Sequence, residues 1–298
     1  MGTPSYATEI LKALILDDEV AVIALVTQPD KPVGRKQILT PPDTKRYLIE
    51  NEIDLKLYQP STLKNEESFK YISELKPDFI VVAAYGQILP KDILDIAPCI
   101  NLHASILPLY RGASPIQDAI LHQDKFTGVC SMLMDVGLDT GNILGFSYLE
   151  IDKLDASGLF LKLSHLASKL TIDTLKNFDN IVPLKQNSCE ASYSKKIFKE
   201  GGLLDLVDAS SCEARYRAFI FWPGVFLESG LKLKTLFLDS TEGLNKKAEI
   251  LKIEKQSIII GCKKGALEVS RVQPPSKKEM SVIDYIRGKR LGVGDYLS

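Results

Sequence analysis

The chain has no run of about 18 apolar residues, the length a membrane-crossing helix needs. Its N-terminus also lacks a basic region leading into an apolar stretch and a small-residue cleavage site, so a cytoplasmic location is expected. Cysteines are few. Cys99, Cys130, Cys189, Cys212 and Cys262 are odd in number and scattered without a C-x-x-C pair, which argues against a disulfide framework and against a zinc site. Each is expected to be a small, reduced, buried side chain. The opening "MGTPSYA" does not supply the G-x-G-x-x-G turn that a dinucleotide-binding oxidoreductase would want after its first strand. Internal repeats and low-complexity segments are missing as well.

What is present is an ordinary globular composition, with 298 residues, 45% of them hydrophobic and 25% charged, enough for about two domains. The net charge of −1 conceals an asymmetry. From Leu206 to Ser298 there are 16 Lys+Arg against 11 Asp+Glu, and before that 21 against 27. A basic C-terminal third is either a solvated surface or the footprint of a phosphate-bearing partner.

Two textures divide the chain. Up to about Glu150, β-branched runs (Val20 to Thr27, Leu55 to Tyr58, Asp78 to Ala84, Cys99 to His103, Thr127 to Met134, Ile143 to Ile151) alternate with helical patterns. Alternation of that kind predicts an α/β fold with a doubly wound, mostly parallel sheet. A helix follows, with Leu159, Leu163, Leu166 and Leu170 in one apolar stripe. Residues 1–179 are thus read as a catalytic domain and 180–205, polar and without period, as a linker over the surface. In 206–298, short runs separated by Gly, Asn, Asp and Lys clusters predict a small β-barrel or sandwich.

Chemistry concentrates in two stretches. "INLHASILPLYRGASP" begins as a buried strand, and alternation along a strand sends Asn101 and His103 out of the same face near its C-terminal end, where open α/β sheets bind ligands. An amide beside an imidazole can stabilise an oxyanion in acyl transfer, or can merely satisfy loop backbone. In "MDVGLDTGNI", Asp139 sits in a Gly-flanked turn between two strands. Set against His103 it would complete a donor amide, an acid/base imidazole and an anionic orienter.

N-x-H, followed by S-x-L-P and a downstream L-D-x-G, resembles the signature of the folate-dependent formyltransferases. "VTQPDKPVGRKQILTPP", "YSKKIFKEGGLLD", "RAFIFWPG" and "VQPPSKKEMSVIDYIRGKRL" extend the likeness nearly end to end, to members acting on charged tRNA. The resemblance implies a Rossmann-like catalytic domain and an OB-like C-terminal barrel that binds tRNA. It implies transfer of a formyl group from 10-formyltetrahydrofolate, as co-substrate, to methionine esterified to initiator tRNA, with no metal. Asn101 and His103 would hold the tetrahedral intermediate, with Asp139 supporting His103. Folate would lie against Ser105, Ile106, Leu107 and Pro108, its pterin near Tyr85, Gly86, Gln87, Ile88 and Leu89. The loop Asp30 to Pro42, with Lys31, Arg35 and Lys36, corresponds to an insertion that approaches the acceptor stem. In the basic C-terminal part Arg215, Arg217, Lys263, Lys264, Lys277, Lys278, Arg287, Lys289 and Arg290 are candidates for tRNA contact, about half of them merely solvated on the bland reading. A monomer is the default.

Rival readings are a formyltransferase for a small amine, a hydrolase deformylating the same folate, and a non-catalytic tRNA-binding protein. A small-amine enzyme would need neither the basic loop nor the C-terminal domain. One feature fits none of them. "MGTPSYATEILKALI" is turn chemistry feeding an amphipathic helix, and in an α/β protein such a turn follows a strand. Relatives in the family place a central strand there. The first central strand is therefore expected to be missing from this sequence, with several apolar residues before Met1 in the natural protein.

Overall fold

The computed structural model describes residues 1–34 and 36–298, in two compact units. One comprises Met1–Pro115, Phe126–Glu150 and Phe160–Ser194; the other comprises Ile116–Lys125, Ile151–Leu159 and Lys195–Ser298. Through the first half run α1 (Ser5–Leu16), β1 (Ala24–Val26), β2 (Lys31–Val33), β3 (Ile38–Thr40), α2 (Asp43–Glu50), β4 (Lys56–Tyr58), α3 (Glu66–Glu74), β5 (Ile80–Val82), α4 (Lys91–Leu94), β6 (Cys99–His103), β7 (Arg111–Gly112) and α5 (Pro115–Leu121). β8 (Phe126–Leu133), β9 (Ile143–Glu150), α6 (Ala156–Lys176) and β10 (Tyr193–Ser194) follow. The sheet is mixed: β1–β4 and β5–β6 are parallel pairs, whereas β8 runs antiparallel to both β6 and β9. Hydrophobic periodicity carries no strand direction, which is why a mostly parallel sheet was expected from it.

The turn at the start of the chain meets the sheet at a gap between β1 and β5. β1 pairs only with β4, and β5 only with β6, so the sheet is split between β1 and β5. Met1 and Gly2 bridge the split: Gly2 N donates to Val26 O (3.0 Å), Ala83 N to Met1 O (2.9 Å), and the terminal amine of Met1 to Val81 O. Beyond them lies a slot of about 540 Å³, lined largely by apolar side chains including Ile10, Leu14, Val22, Leu25, Phe79 and Val81. The vacancy explains two shortened strands. Val20 to Thr27 and Asp78 to Ala84 look like full strands in sequence, yet only Ala24–Val26 and Ile80–Val82 are laddered, because a strand needs a neighbour to accept its backbone bonds. Gly2 is required at the crossing point, since a Cβ there would sit 2.8 Å from Ala83 O and 2.3 Å from Ala7 Cβ. α1 itself matches its pattern, burying Ala7, Ile10, Leu11 and Leu14 on one face.

In the second unit, α7 (Ala209–Ala218), β11 (Val225–Phe226), β12 (Lys232–Ser240), β13 (Ile250–Ile253), β14 (Ile258–Gly261), β15 (Ala266–Gln273), β16 (Met280–Ser281) and α8 (Val282–Lys289) complete the chain. They make one antiparallel sheet ordered β11-β12-β15-β14-β13, with β16 also on β15. β11 and β13 are its two ends, so among the described residues the strands form a curled, partly open sheet. Register shifts along β12 supply the bend. Ile258–Gly261 is buried along its whole length, and Ala209 and Cys212 of α7 join Val282, Ile283 and Ile286 of α8 in its core. The apolar run Phe219 to Phe226 is a strand only at its last two residues; the rest is a turn carrying a cis Trp222–Pro223 bond. Four cysteines are buried as expected, but Cys189 is exposed, because it lies in a polar segment with no core above it.

Candidate active site

β6 brings Asn101 and His103 to one face, between β5 and β8, with Asn101 opposite Met132 and His103 opposite Cys130. His103 is buried and its Nε2 lies 2.9 Å from Tyr110 O. A carbonyl can only accept, so Nε2 carries a hydrogen, and Nδ1 is the nitrogen left to exchange a proton. Tyr110 turns that carbonyl toward the ring from a left-handed conformation, φ 56°.

Asp139 arrives from the loop between β8 and β9, also left-handed at φ 53°, a region Asp tolerates better than most residues. Its Oδ2 accepts from Gly112 N at 2.8 Å and stands 3.7 Å from His103 Nδ1, within ion-pair range but too far for a hydrogen bond. Its Oδ1 accepts from Asn101 Nδ2 at 3.3 Å. The three residues expected to act together therefore converge on one carboxylate, although Asp139 is 38 positions from Asn101. Gly112 is needed for this approach: at φ 118°, a Cβ would lie 2.4 Å from Ser194 O.

Other expected residues are placed more variously. Ser105 is buried and donates to Leu109 O, while Leu107 packs with Cys130, Met132 and Ile143 and is followed by a cis bond to Pro108. Ile106 and Pro108 are the half-buried members of that loop. In the second loop Gly86 and Ile88 are exposed, Leu89 is core, and Gln87 is committed to Leu63 N and Pro60 O. Tyr85 is buried with its hydroxyl unpartnered, and burial pushes that hydroxyl up to about 12.

The Asp30 to Pro42 loop is a β2–β3 hairpin with exposed Lys31 and Lys36; Arg35 lies outside the described residues. At its base Asp30 accepts from Gln59 and Lys45, which hold its carboxyl below the usual range. In the second unit Arg215 is spent on the carbonyls of Gly201 and Leu203, and Arg217 on Glu213 and Leu154 O, so neither guanidinium is offered outward. Helix periodicity would have flagged α7, but the stretch is short and weakly amphipathic. Lys263, Lys264, Lys277, Lys278, Arg287, Lys289 and Arg290 are exposed. Among the described residues no cluster of three His, Cys, Asp or Glu side chains could hold a metal ion, and no helix is long and apolar enough to cross a membrane.

Two further residues shape the site: Arg111, which lies in the motif carrying the resemblance but with no role assigned to it, and Gln186, which has no signal of its own in the sequence. Arg111 is 2% exposed and reaches Gln186 Oε1 through Nε (3.0 Å) and Nη2 (2.7 Å). Gln186 comes from residues 180–194, which have a linker's composition but belong to the first unit, with β10 parallel to β7 and Leu184 paired to Ile143.

Residues 1–175 match the family model described as formyl transferase, and 196–290 match that of the formyl transferase C-terminal domain. The chain belongs to the formyl transferase family. Among its relatives in that family, a methionyl-tRNA formyltransferase of Nitratiruptor sp. is 55% identical over 296 residues, spanning 99% of this chain and 97% of its own. One from Campylobacter lari is 53% identical over 297 residues, spanning 100% and 98%. The fold is shared with an N-formyltransferase from Helicobacter canadensis solved with folinic acid and dTDP-3-aminofucose, at TM-score 0.67 and 19% identity, covering 91% of this chain and 97% of that one.

Proposed function

We infer that this chain transfers a formyl group from 10-formyltetrahydrofolate to the amino group of methionine on initiator tRNA, as a cytoplasmic monomer without metal. The observation that carries this reading is the similarity, over both units, to proteins named methionyl-tRNA formyltransferase. The site supplies the matching chemistry. The amine attacks the formyl carbon as the neutral base, forming the new C–N bond and an oxyanion. Asn101 Nδ2 donates to that oxyanion. The proton leaving the amine is taken at His103 Nδ1, opposite the Asp139 carboxylate. Collapse of the intermediate breaks the bond to N10 of the folate, which takes the proton. Ile106, Pro108, Gly86 and Ile88, with the backbone around them, are the accessible parts of the two loops against which the folate would lie.

The test offers 10-formyltetrahydrofolate with charged initiator tRNA, charged elongator tRNA and free methionine in parallel. Strong formylation of the initiator alone is expected; formylation of free methionine alone would mark a small-amine enzyme, and tRNA binding without turnover a non-catalytic protein. For the hairpin, replacing Arg35 and Lys36 by glutamine should weaken tRNA binding and lower the slope of log affinity against log salt by about two. An unchanged slope would remove the hairpin from the interface.

A further inference from the structure

We propose that Gln186 is a positioning residue for the transfer reaction, tying the Asp139 backbone to the Arg111 guanidinium and so fixing where the Asp139 carboxylate stands relative to His103. The proposal rests on the reading of Asn101, His103 and Asp139 given above. Gln186 is buried, and its amide is fully used: Nε2 donates to Asp139 O (2.9 Å) and Gly141 O (2.7 Å), while Oε1 accepts twice from Arg111. A side-chain amide has two donors and two acceptor sites, so nothing is left over.

Asp139, itself left-handed, and Gly141 flank Thr140 in an otherwise exposed loop, and Gln186 Nε2 bonds both carbonyls at once. Arg111, held against Gln186, also precedes Gly112, whose N–H holds the carboxylate. The amide thus grips Asp139 from its backbone while the Arg111–Gly112 segment grips it from its side chain. The same segment secures the imidazole. Ser192 Oγ accepts from Tyr110 N at 2.8 Å, Ser192 O from Arg111 N at 2.9 Å, and Tyr110 O is the partner of His103 Nε2. One strap, Gln186 to Ser194, therefore sets both ends of the 3.7 Å gap between Nδ1 and Oδ2. A displacement of about 1 Å in a reacting group suffices for a loss near 100-fold.

The experiment compares the full chain with Gln186→Met and Gln186→Glu, reading kcat, both KM values, and the nitrogen NMR resonances of the His103 imidazole. Gln186→Met removes the whole tether. It is expected to lower kcat by roughly 10- to 100-fold with both KM values within about twofold. The Nδ1 resonance of His103 is expected to move while Nε2, held by Tyr110 O, stays. Gln186→Glu keeps an acceptor for Arg111 but sets an acceptor-only oxygen against Asp139 O and Gly141 O, so it breaks the tether to Asp139 while keeping the Arg111 contact and serves if the Met variant fails to fold. A loss of the same order is expected from it. A folded variant of either kind with the native kcat and the native Nδ1 resonance would overturn the proposal, and so would parallel shifts of both nitrogens, which would signal general loosening. The resonances need no turnover, so they decide the positioning role even if the chain formylates no tRNA and the reading of its function falls.

Discussion

His103→Ala is expected to lower kcat for formyl transfer by roughly a thousandfold, within the range for deleting the group that takes the proton. Binding of tRNA stays within about twofold, because the ring is buried and spends its Nε2 on Tyr110 O. Asp139 needs a subtler pair of variants, since it has two tasks. Its backbone turns the loop in a left-handed conformation, and its carboxylate faces Asn101, Gly112 and His103. Asparagine also tolerates φ near 53° and can still accept from Gly112 N, so Asp139→Asn should keep the native melting temperature and lose most activity. Asp139→Ala should lose activity and stability together, by about 1 kcal/mol or more from the strained backbone. Steady-state formylation beside thermal melting checks both, and near-normal turnover by His103→Ala or Asp139→Asn would sink the catalytic assignment.

The second large effect is expected at the split sheet. A short extension of alternating β-branched residues ahead of Met1 would run between β1 and β5, where Gly2 already donates to Val26 O and the Met1 amine to Val81 O. Each aliphatic side chain it buries adds about 1.5–3 kcal/mol, against about 1–2 kcal/mol for ordering each residue's backbone. The melting temperature should rise by about 5 °C or more, since 1 kcal/mol moves a domain of this size by about 2–4 °C. A charge effect accompanies it. Burial drives the Met1 amine down to about 5 from 8.0, so between those values the unfolded chain binds a proton the folded chain does not. Stability from this group is therefore full above pH 8 and falls as the pH drops toward 5, by about 4 kcal/mol in all. An extension replaces the amine by an uncharged N–H and removes that dependence. A Gly/Ser extension of equal length is the control. If it stabilises as much as the β-branched one, relief of the amine accounts for everything and the slot takes no strand; amide exchange at Ile80–Val82 should slow only with the β-branched sequence.

How much of this was legible beforehand depends on the range of the information. Asn101 and His103 could be paired from sequence because their relation is local, set by alternation on one strand. The gap between β1 and β5 has a local signal of the same kind, since turn chemistry feeding a helix marks the end of a sheet position. Asp139 could be named but not placed, because its contact with Gly112 spans 27 residues. Gln186 could not be singled out at all: a glutamine in a polar stretch beside Pro183 looks like solvated linker until the partners that fill its amide are known. Charge misleads in a similar way. Arg215 and Arg217 enlarge the basic balance of the C-terminal third, yet their guanidinium groups hold the protein's own carbonyls and Glu213. How far the C-terminal sheet curls is less legible: β11 and β13, two and four residues long, are its two ends, and strand spacing says nothing of whether the first and last strands meet.

The strap changes what counts as the smallest working piece of this chain. Every reacting side chain lies before residue 140, and the shift in composition near 179 invites a fragment that ends there. Such a fragment would carry Asn101, His103 and Asp139 yet lose Gln186, Ser192 and the β10 ladder that fix them. A piece ending past Ser194 would keep them. In a dissection of the protein, or a graft of its site onto another scaffold, the tail of the first unit travels with the chemistry.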